Sequence, residues 1–180
     1  MNQYRTACGG TINIAQQAQH HLIAHPNVGE HLQTVIGKIH LPAVRRKIEE
    51  EIDVGRLIGR SGIVKTAPLD IREPALFALR ANRKLPSRVA KVGVFGEETS
   101  KIVVVARPSQ IENEYDLITS WIGVLAKKEP WDGSIAGRRE FQECLDFWST
   151  RAMVYDPAVM GPAFESSWKD VLSHGRCRFL

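Results

Sequence analysis

Two runs near the middle of the chain, Lys101-Ile-Val-Val-Val-Ala-Arg107 and Tyr115-Asp-Leu-Ile-Thr-Ser-Trp-Ile-Gly123, constrain the fold more than any other part of it. Both are rich in β-branched and aromatic side chains, which pack well on a pleated surface. The residues between them, 108–114, are mostly polar and include Pro108 and Asn113. The two runs are therefore predicted to pair as an antiparallel hairpin. Strand alternation places Thr119 on a face with Leu117 and Trp121, and Ser120 on the opposite face with Ile118 and Ile122. A threonine at such a position is otherwise explained by β-propensity alone.

A chain of 180 residues, 43% of them hydrophobic, can bury one core, so a single domain over 1–180 is expected. A formal charge of +4 permits a polyanionic partner without requiring one. Cys8, Cys144 and Cys177 are widely separated, with no Cys-x-x-Cys pair. That usage fits a reducing compartment and offers no zinc site. No run of 18 apolar residues is present and no charged start leads into an apolar segment. A cytoplasmic protein without membrane association is the expectation.

Before the hairpin the pattern reads as helical. From Thr11, Ile14, Ala18 and Leu22 fit one face of a helix ending near Pro26, and residues 30–54 suggest two further helical pieces broken at Pro42. Val44, Ile48 and Ile52 would form the buried stripe of the second piece. Arg45/Glu49, Arg46/Glu50 and Lys47/Glu51 would then pair along its solvated face. His20, His21, His25 and His31 lack carboxylate or Cys partners at ligand spacing and read as solvent-facing, so no metal is expected. His40 sits beside a predicted element boundary; a structural role competes there with a proton-transfer role.

Gly55, Gly59 and Gly62 match neither a dinucleotide fingerprint nor a Walker A loop, so no nucleotide cofactor is expected. Leu57-Ile58 and Ile63-Val64 flank a turn and begin the sheet; residues 74–79 and 92–95 read as short strands. Phe141, Leu145, Trp148 and Ala152 recur at helical spacing, predicting an amphipathic helix over 137–155, and Phe164, Trp168 and Leu172 mark a last helix over 163–174. The predicted class is α+β: a helical part (1–54), a β-rich part with a small antiparallel sheet (55–135), and C-terminal helices packed on it (136–180).

The basic segment Phe77-Ala-Leu-Arg-Ala-Asn-Arg83, Ser87-Arg88, the strand from Lys101 to Ala106, the run Leu117-Ile-Thr-Ser-Trp-Ile-Gly123 and Glu129-Pro130-Trp131 together resemble a toxin family. It is the barnase, EndoU, colicin and RelE class of ribonuclease domains, and the resemblance covers roughly residues 57–155. It implies metal-independent RNA cleavage by attack of a 2′-hydroxyl on the adjacent phosphorus. It implies phosphate contacts from Arg83 and Arg88, with Arg80 and Ser120 nearby, and a further hydrogen bond from Thr119. The implied partners are an RNA substrate and an antitoxin or immunity protein.

Similar sequences carry Phe-Trp-x-x-His-Ala-Leu-Val toward the C-terminus, whereas this chain reads Phe147-Trp148-Ser149-Thr150-Arg151-Ala152-Met153-Val154. Arginine stays protonated and cannot serve as a general base. Either the acid/base role lies elsewhere, with His40 and His174 as candidates, or position 151 marks a weakened or inactivated copy. The alternatives are a non-catalytic RNA- or protein-binding module of the same fold, or an antitoxin- or immunity-like partner protein.

Overall fold

The structure, a computed structural model, describes residues 2–15, 26–81, 83–175 and 177–180. From the N-terminus the elements are β1 (Asn2–Arg5), β2 (Thr11–Ile14), α1 (Pro26–Ile36), β3 (Ile48–Asp53), β4 (Gly59–Arg60) and β5 (Ile63–Lys65). Then come β6 (Ala75–Ala78), β7 (Ser87–Arg88), β8 (Glu98–Thr99), β9 (Lys101–Pro108) and β10 (Glu114–Ile122). The last are α2 (Arg138–Ser149), β11 (Arg151–Met153), β12 (Phe164–Ser166) and α3 (Trp168–His174). The arrangement is α+β. Contacts divide it into two compact units, each built from two stretches of chain: Met1–Ser61 with Glu97–Leu125, and Gly62–Gly96 with Ala126–Leu180.

The first unit is organised by the predicted hairpin. β9 and β10 pair antiparallel at the centre of a five-stranded sheet ordered β1-β2-β10-β9-β3. Ile102 to Ala106 are buried on both faces of β9, which is why that strand reads as an unbroken apolar run. The sheet is mixed rather than purely antiparallel, because β2 joins β10 in parallel. Helix α1 lays Val28, Leu32, Val35 and Ile36 into a core with Ile12, Ile14, Ile48, Ile102, Val104 and Leu117.

Three local expectations in this unit are corrected. Residues 48–53 form an edge strand, not a helix. Ile48 and Ile52 are four apart, a spacing that fits one helical turn and two strand dipeptides equally well; Val44, the third member of the supposed stripe, is exposed. The glutamates between them guard an open sheet edge, and Glu51 pairs with Lys101 at 2.6 Å. The cation–glutamate ladder gives way accordingly, with Lys47 meeting Glu49 and Arg45 donating to the carbonyls of Ser109 (2.5 Å) and Ile111 (3.1 Å). Thr11–Ile14 is likewise a strand; the remainder of the helix expected there, with His20, His21 and His25, falls outside the described residues.

The third correction concerns the faces of β10. The register shifts between Leu117 and Thr119, so Ile118 is an extra residue opposite β9. This bulge inverts the parity that simple alternation predicts. Ser120 falls opposite Val104, as Leu117 falls opposite Ala106, whereas Thr119 pairs with Val105 and Trp121 with Val103. At the strand's end Gly123 has φ +126°, and a Cβ there would come within 2.6 Å of Ser61 Oγ and 3.2 Å of its Cα. Only glycine fits that corner.

The second unit holds a three-stranded sheet, β12-β6-β7, and a two-stranded β5–β11 ladder. Phe77 on β6 meets Trp168 on α3 edge to face at 5.0 Å. Helix α2 buries Phe141, Cys144 and Trp148 and stops at Ser149, short of the predicted end, because the chain reverses at Thr150 to pair Arg151–Met153 with β5. Arg151 is thus a strand residue. The last helix begins at Trp168, later than predicted, where Ser167 Oγ accepts from Asp170 N–H at 3.1 Å; the preceding Phe164–Ser166 pairs with β6. That Ser-x-x-Asp is a capping signal that the apolar spacing masked. Residues 92–95 are an exposed loop rather than a strand.

Candidate functional site

The basic segment after β6 encloses a buried acid. Arg80 leaves the end of that strand, and Arg83 N–H donates to the Arg80 carbonyl at 3.1 Å, which folds the segment back toward β7. From there Arg80 Nε donates to Ser87 Oγ at 3.0 Å and Nη2 donates to Glu129 Oε2 at 2.8 Å. Glu129 is 6% exposed. Its other oxygen, Oε1, is buried with no hydrogen-bond partner among the described residues.

Two tryptophans pin the segment that carries Glu129. Trp148 Nε1 donates to the carbonyls of Lys127 (3.2 Å) and Lys128 (3.0 Å) just before it, and Trp131 Nε1 donates to Pro86 O at 2.9 Å just after it. The Asp132 N–H closes a turn onto the Glu129 carbonyl at 2.8 Å. The carboxylate is thereby held in place from both sides along the chain.

Electrostatics separate the two acids of this loop. Burial raises the pKa of Glu129 above the usual carboxylate range, although Arg80, Ser87 and Arg83 all pull it down. Burial also pushes Asp132 upward, but the Ser134 N–H and hydroxyl, with Lys128 and Arg83, outweigh it and hold Asp132 below its ordinary value. Arg83 acts on both carboxylates and is itself exposed. The result is a proton-accepting oxygen in a dry setting beside guanidinium groups. That is the pairing a general base next to an anionic substrate requires.

The residues singled out from the sequence divide sharply. Arg80 and Arg83 belong to this cluster. Arg88, expected at phosphate, is 6% exposed, and its Nη1 donates to the carbonyls of Trp148 (2.8 Å), Ser149 (2.8 Å) and Arg151 (3.3 Å). It closes the C-terminal end of α2, where orphan carbonyls and the helix dipole favour a cation, so its place is structural. Ser120 is also corrected: fully buried, it donates to Val103 O at 2.8 Å within the sheet. Arg151 lies over the Phe147 ring at 4.4 Å and donates to Thr150 Oγ1 at 3.1 Å.

Thr119, half-buried, and His40, exposed, are carried by the first unit, whereas Arg80, Arg83 and Glu129 are carried by the second. His174 ends α3 with Nδ1 2.7 Å from the Asp170 carbonyl. Among the described residues no cluster of His, Cys, Asp and Glu forms a metal site, and no helix is long and apolar enough to cross a membrane.

The chain matches no family model, no curated protein and no solved structure. The site therefore stands on its own geometry. Glu129 is the member that the sequence leaves unmarked: it opens the Glu129-Pro130-Trp131 motif, but nothing in its neighbours announces burial. The one available signal was an acid followed by proline and tryptophan in an otherwise lysine-rich loop.

Proposed function

We propose that the chain is a metal-independent endoribonuclease in which Glu129 is the general base and Arg80 and Arg83 neutralise the scissile phosphate. Glu129 Oε1 takes the proton of a ribose 2′-hydroxyl, the O2′–P bond forms as the P–O5′ bond breaks, and the departing 5′-oxygen takes a proton from water. The products are a 2′,3′-cyclic phosphate and a 5′-hydroxyl. The nucleophile comes from the RNA itself, so the reaction has no need of a metal-generated hydroxide. The observation that carries the reading is the buried, unpartnered Oε1 of a glutamate whose other oxygen is held by Arg80.

Guanidinium groups suit a phosphoryl group because they present planar N–H forks and remain charged throughout. The same property keeps Arg151 out of proton transfer and leaves it as a cation. The resemblance to ribonuclease toxins supports the reading, and with it a cytoplasmic site of action on RNA and restraint by an antitoxin or immunity protein. Incubation with total RNA in EDTA tests it. Fragments ending in cyclic phosphate, produced far more slowly by Glu129→Gln, are the expected result. Retention of RNA in a salt-sensitive manner without fragments would instead identify a non-catalytic RNA-binding module.

A further inference from the structure

Arg80 presents one edge of its guanidinium to two different acceptors. Nε and Nη2 lie along that edge, and their N–H bonds form a planar fork. Such a fork frequently closes on both oxygens of a single carboxylate. Here Nε donates to Ser87 Oγ at 3.0 Å and Nη2 to Glu129 Oε2 at 2.8 Å, while Glu129 Oε1 is buried with no partner among the described residues. The fork is split between a neutral hydroxyl and half of a carboxylate.

Ser87 is built into its place. It is fully buried on β7, opposite Ala78 on β6. The carbonyl of Pro86, just before it, accepts from Trp131 Nε1 at 2.9 Å, and Arg88, just after it, donates to the carbonyls of Trp148 and Ser149 at the end of α2. Its backbone is thus held on both sides, and Oγ stands at one end of the Arg80 edge. While that oxygen accepts from Nε, its own proton remains to be donated, and it draws Glu129 toward the charged form.

We infer that Ser87 is a spacer: by occupying Nε it keeps Arg80 from closing on both oxygens of Glu129, and so leaves Oε1 free to take a proton. The inference rests on the ribonuclease reading, in which Oε1 is the base. Without the hydroxyl, Nε has the second carboxylate oxygen as its nearest alternative of high affinity, since hydrogen bonds between ions are about twice as strong as neutral ones. A glutamate gripped at both oxygens is still charged, but its lone pairs face a cation instead of the 2′-hydroxyl. Ser87 acts only through Arg80 and Glu129, which makes it a positioning residue. Nη1 of Arg80 makes neither bond of the fork and is left for the phosphate.

Ser87→Ala, which removes one buried oxygen, separates a spacer from a simple hydrogen-bond donor by sign. Loss of the donor alone raises the Glu129 pKa; closure of the Arg80 fork puts a charge-assisted bond in its place and lowers it. Carbon-13 NMR titration of the Glu129 carboxyl in the intact protein should therefore show a fall in the variant. The Arg80 Nε–H proton should move downfield as its acceptor changes from hydroxyl to carboxylate. In RNA cleavage kcat should drop at least about tenfold with KM within about threefold, the effect of one more hydrogen bond between charged groups on the base. Circular dichroism checks the fold, and Ser87→Cys, close in shape with a weak acceptor, carries the same measurements if the alanine variant unfolds. A Glu129 pKa that rises or stays, an unmoved Arg80 Nε–H, or an unchanged kcat would overturn the spacer. Any of these in a protein that cuts RNA removes this inference and leaves the ribonuclease intact; both NMR shifts as expected, in a protein that cuts no RNA, would do the reverse.

Discussion

Glu129 is held at odds with its surroundings: burial favours its neutral form, while Arg80 and Arg83 favour the charged one, and burial prevails. A raised pKa in the folded state means that the folded chain binds this proton more readily than the unfolded chain does. Its contribution to stability therefore falls as pH rises from the ordinary carboxylate range through the folded value. Glu129→Gln should remove that component, so urea unfolding of the two proteins should converge at low pH, and the variant should gain relative to the parent as pH rises. Cleavage should fall about 10²- to 10⁴-fold in the same variant. The acid limb of the rate profile should lie above the usual carboxylate range. An unchanged rate in a folded variant would exclude the glutamate from the chemistry.

Among the arginines, those of the turn after β6 were legible as a group, but the sequence could not separate a cation facing solvent from one serving a helix end. Charge and spacing are the same for both; what differs is the reversal at Thr150 that brings β11 and the end of α2 against Arg88. Arg88→Ala should cost about 3 kcal/mol, because it strips a buried cation from several carbonyls at once. Arg83→Ala should stay within about 0.5 kcal/mol of the parent while weakening RNA retention at low salt. Thermal melts paired with filter binding would read both, and equal stability losses in the two variants would erase the distinction.

At the scale of elements, the central hairpin was readable because its β-branched run allows little else, and α2 because its apolar residues span several turns. Ile48 and Ile52 failed as a guide for the reason that a spacing of four belongs to both periodicities, so the charges between them decide nothing without knowledge of the neighbouring strand. The bulge at Ile118 was beyond reach for a related reason: an extra residue leaves no mark in composition, yet it moves Ser120 to the opposite face. The glycine that follows β10 belongs to a motif in the sequence, and the structure supplies its cause. Gly123→Ala should destabilise by at least about 2 kcal/mol, from the forbidden φ and the collision with Ser61. A denaturant midpoint unchanged by that substitution would show that the corner relaxes freely.

Across the molecule two of the free cysteines, Cys8 and Cys144, report one on each unit. Cys8, exposed in the turn between β1 and β2, has its pKa lowered chiefly by a hydrogen bond with Thr6 and by the Leu41 N–H at 3.2 Å; Cys144 is buried on α2, and burial raises its pKa. A thiol reagent should label Cys8 first and Cys144 only when the second unit opens. Quantifying modified peptides against time would check this, and early labelling of Cys144 would contradict the burial of α2.

Neither unit is continuous along the chain, and this bears on how the protein emerges from the ribosome. When residue 61 has been made, β2 still lacks β10 and β3 still lacks β9, so the first unit has the outer strands of its sheet and nothing between them. The whole of Gly62–Gly96 is synthesised before the middle pair arrives, and that stretch must itself wait for Ala126 onward. Long-range pairing of this kind is slow and leaves apolar strand edges open meanwhile. A nascent chain stalled before Glu97 would hold no completed unit at all, so any activity the protein has is withheld until residues well beyond Ala126 have been made.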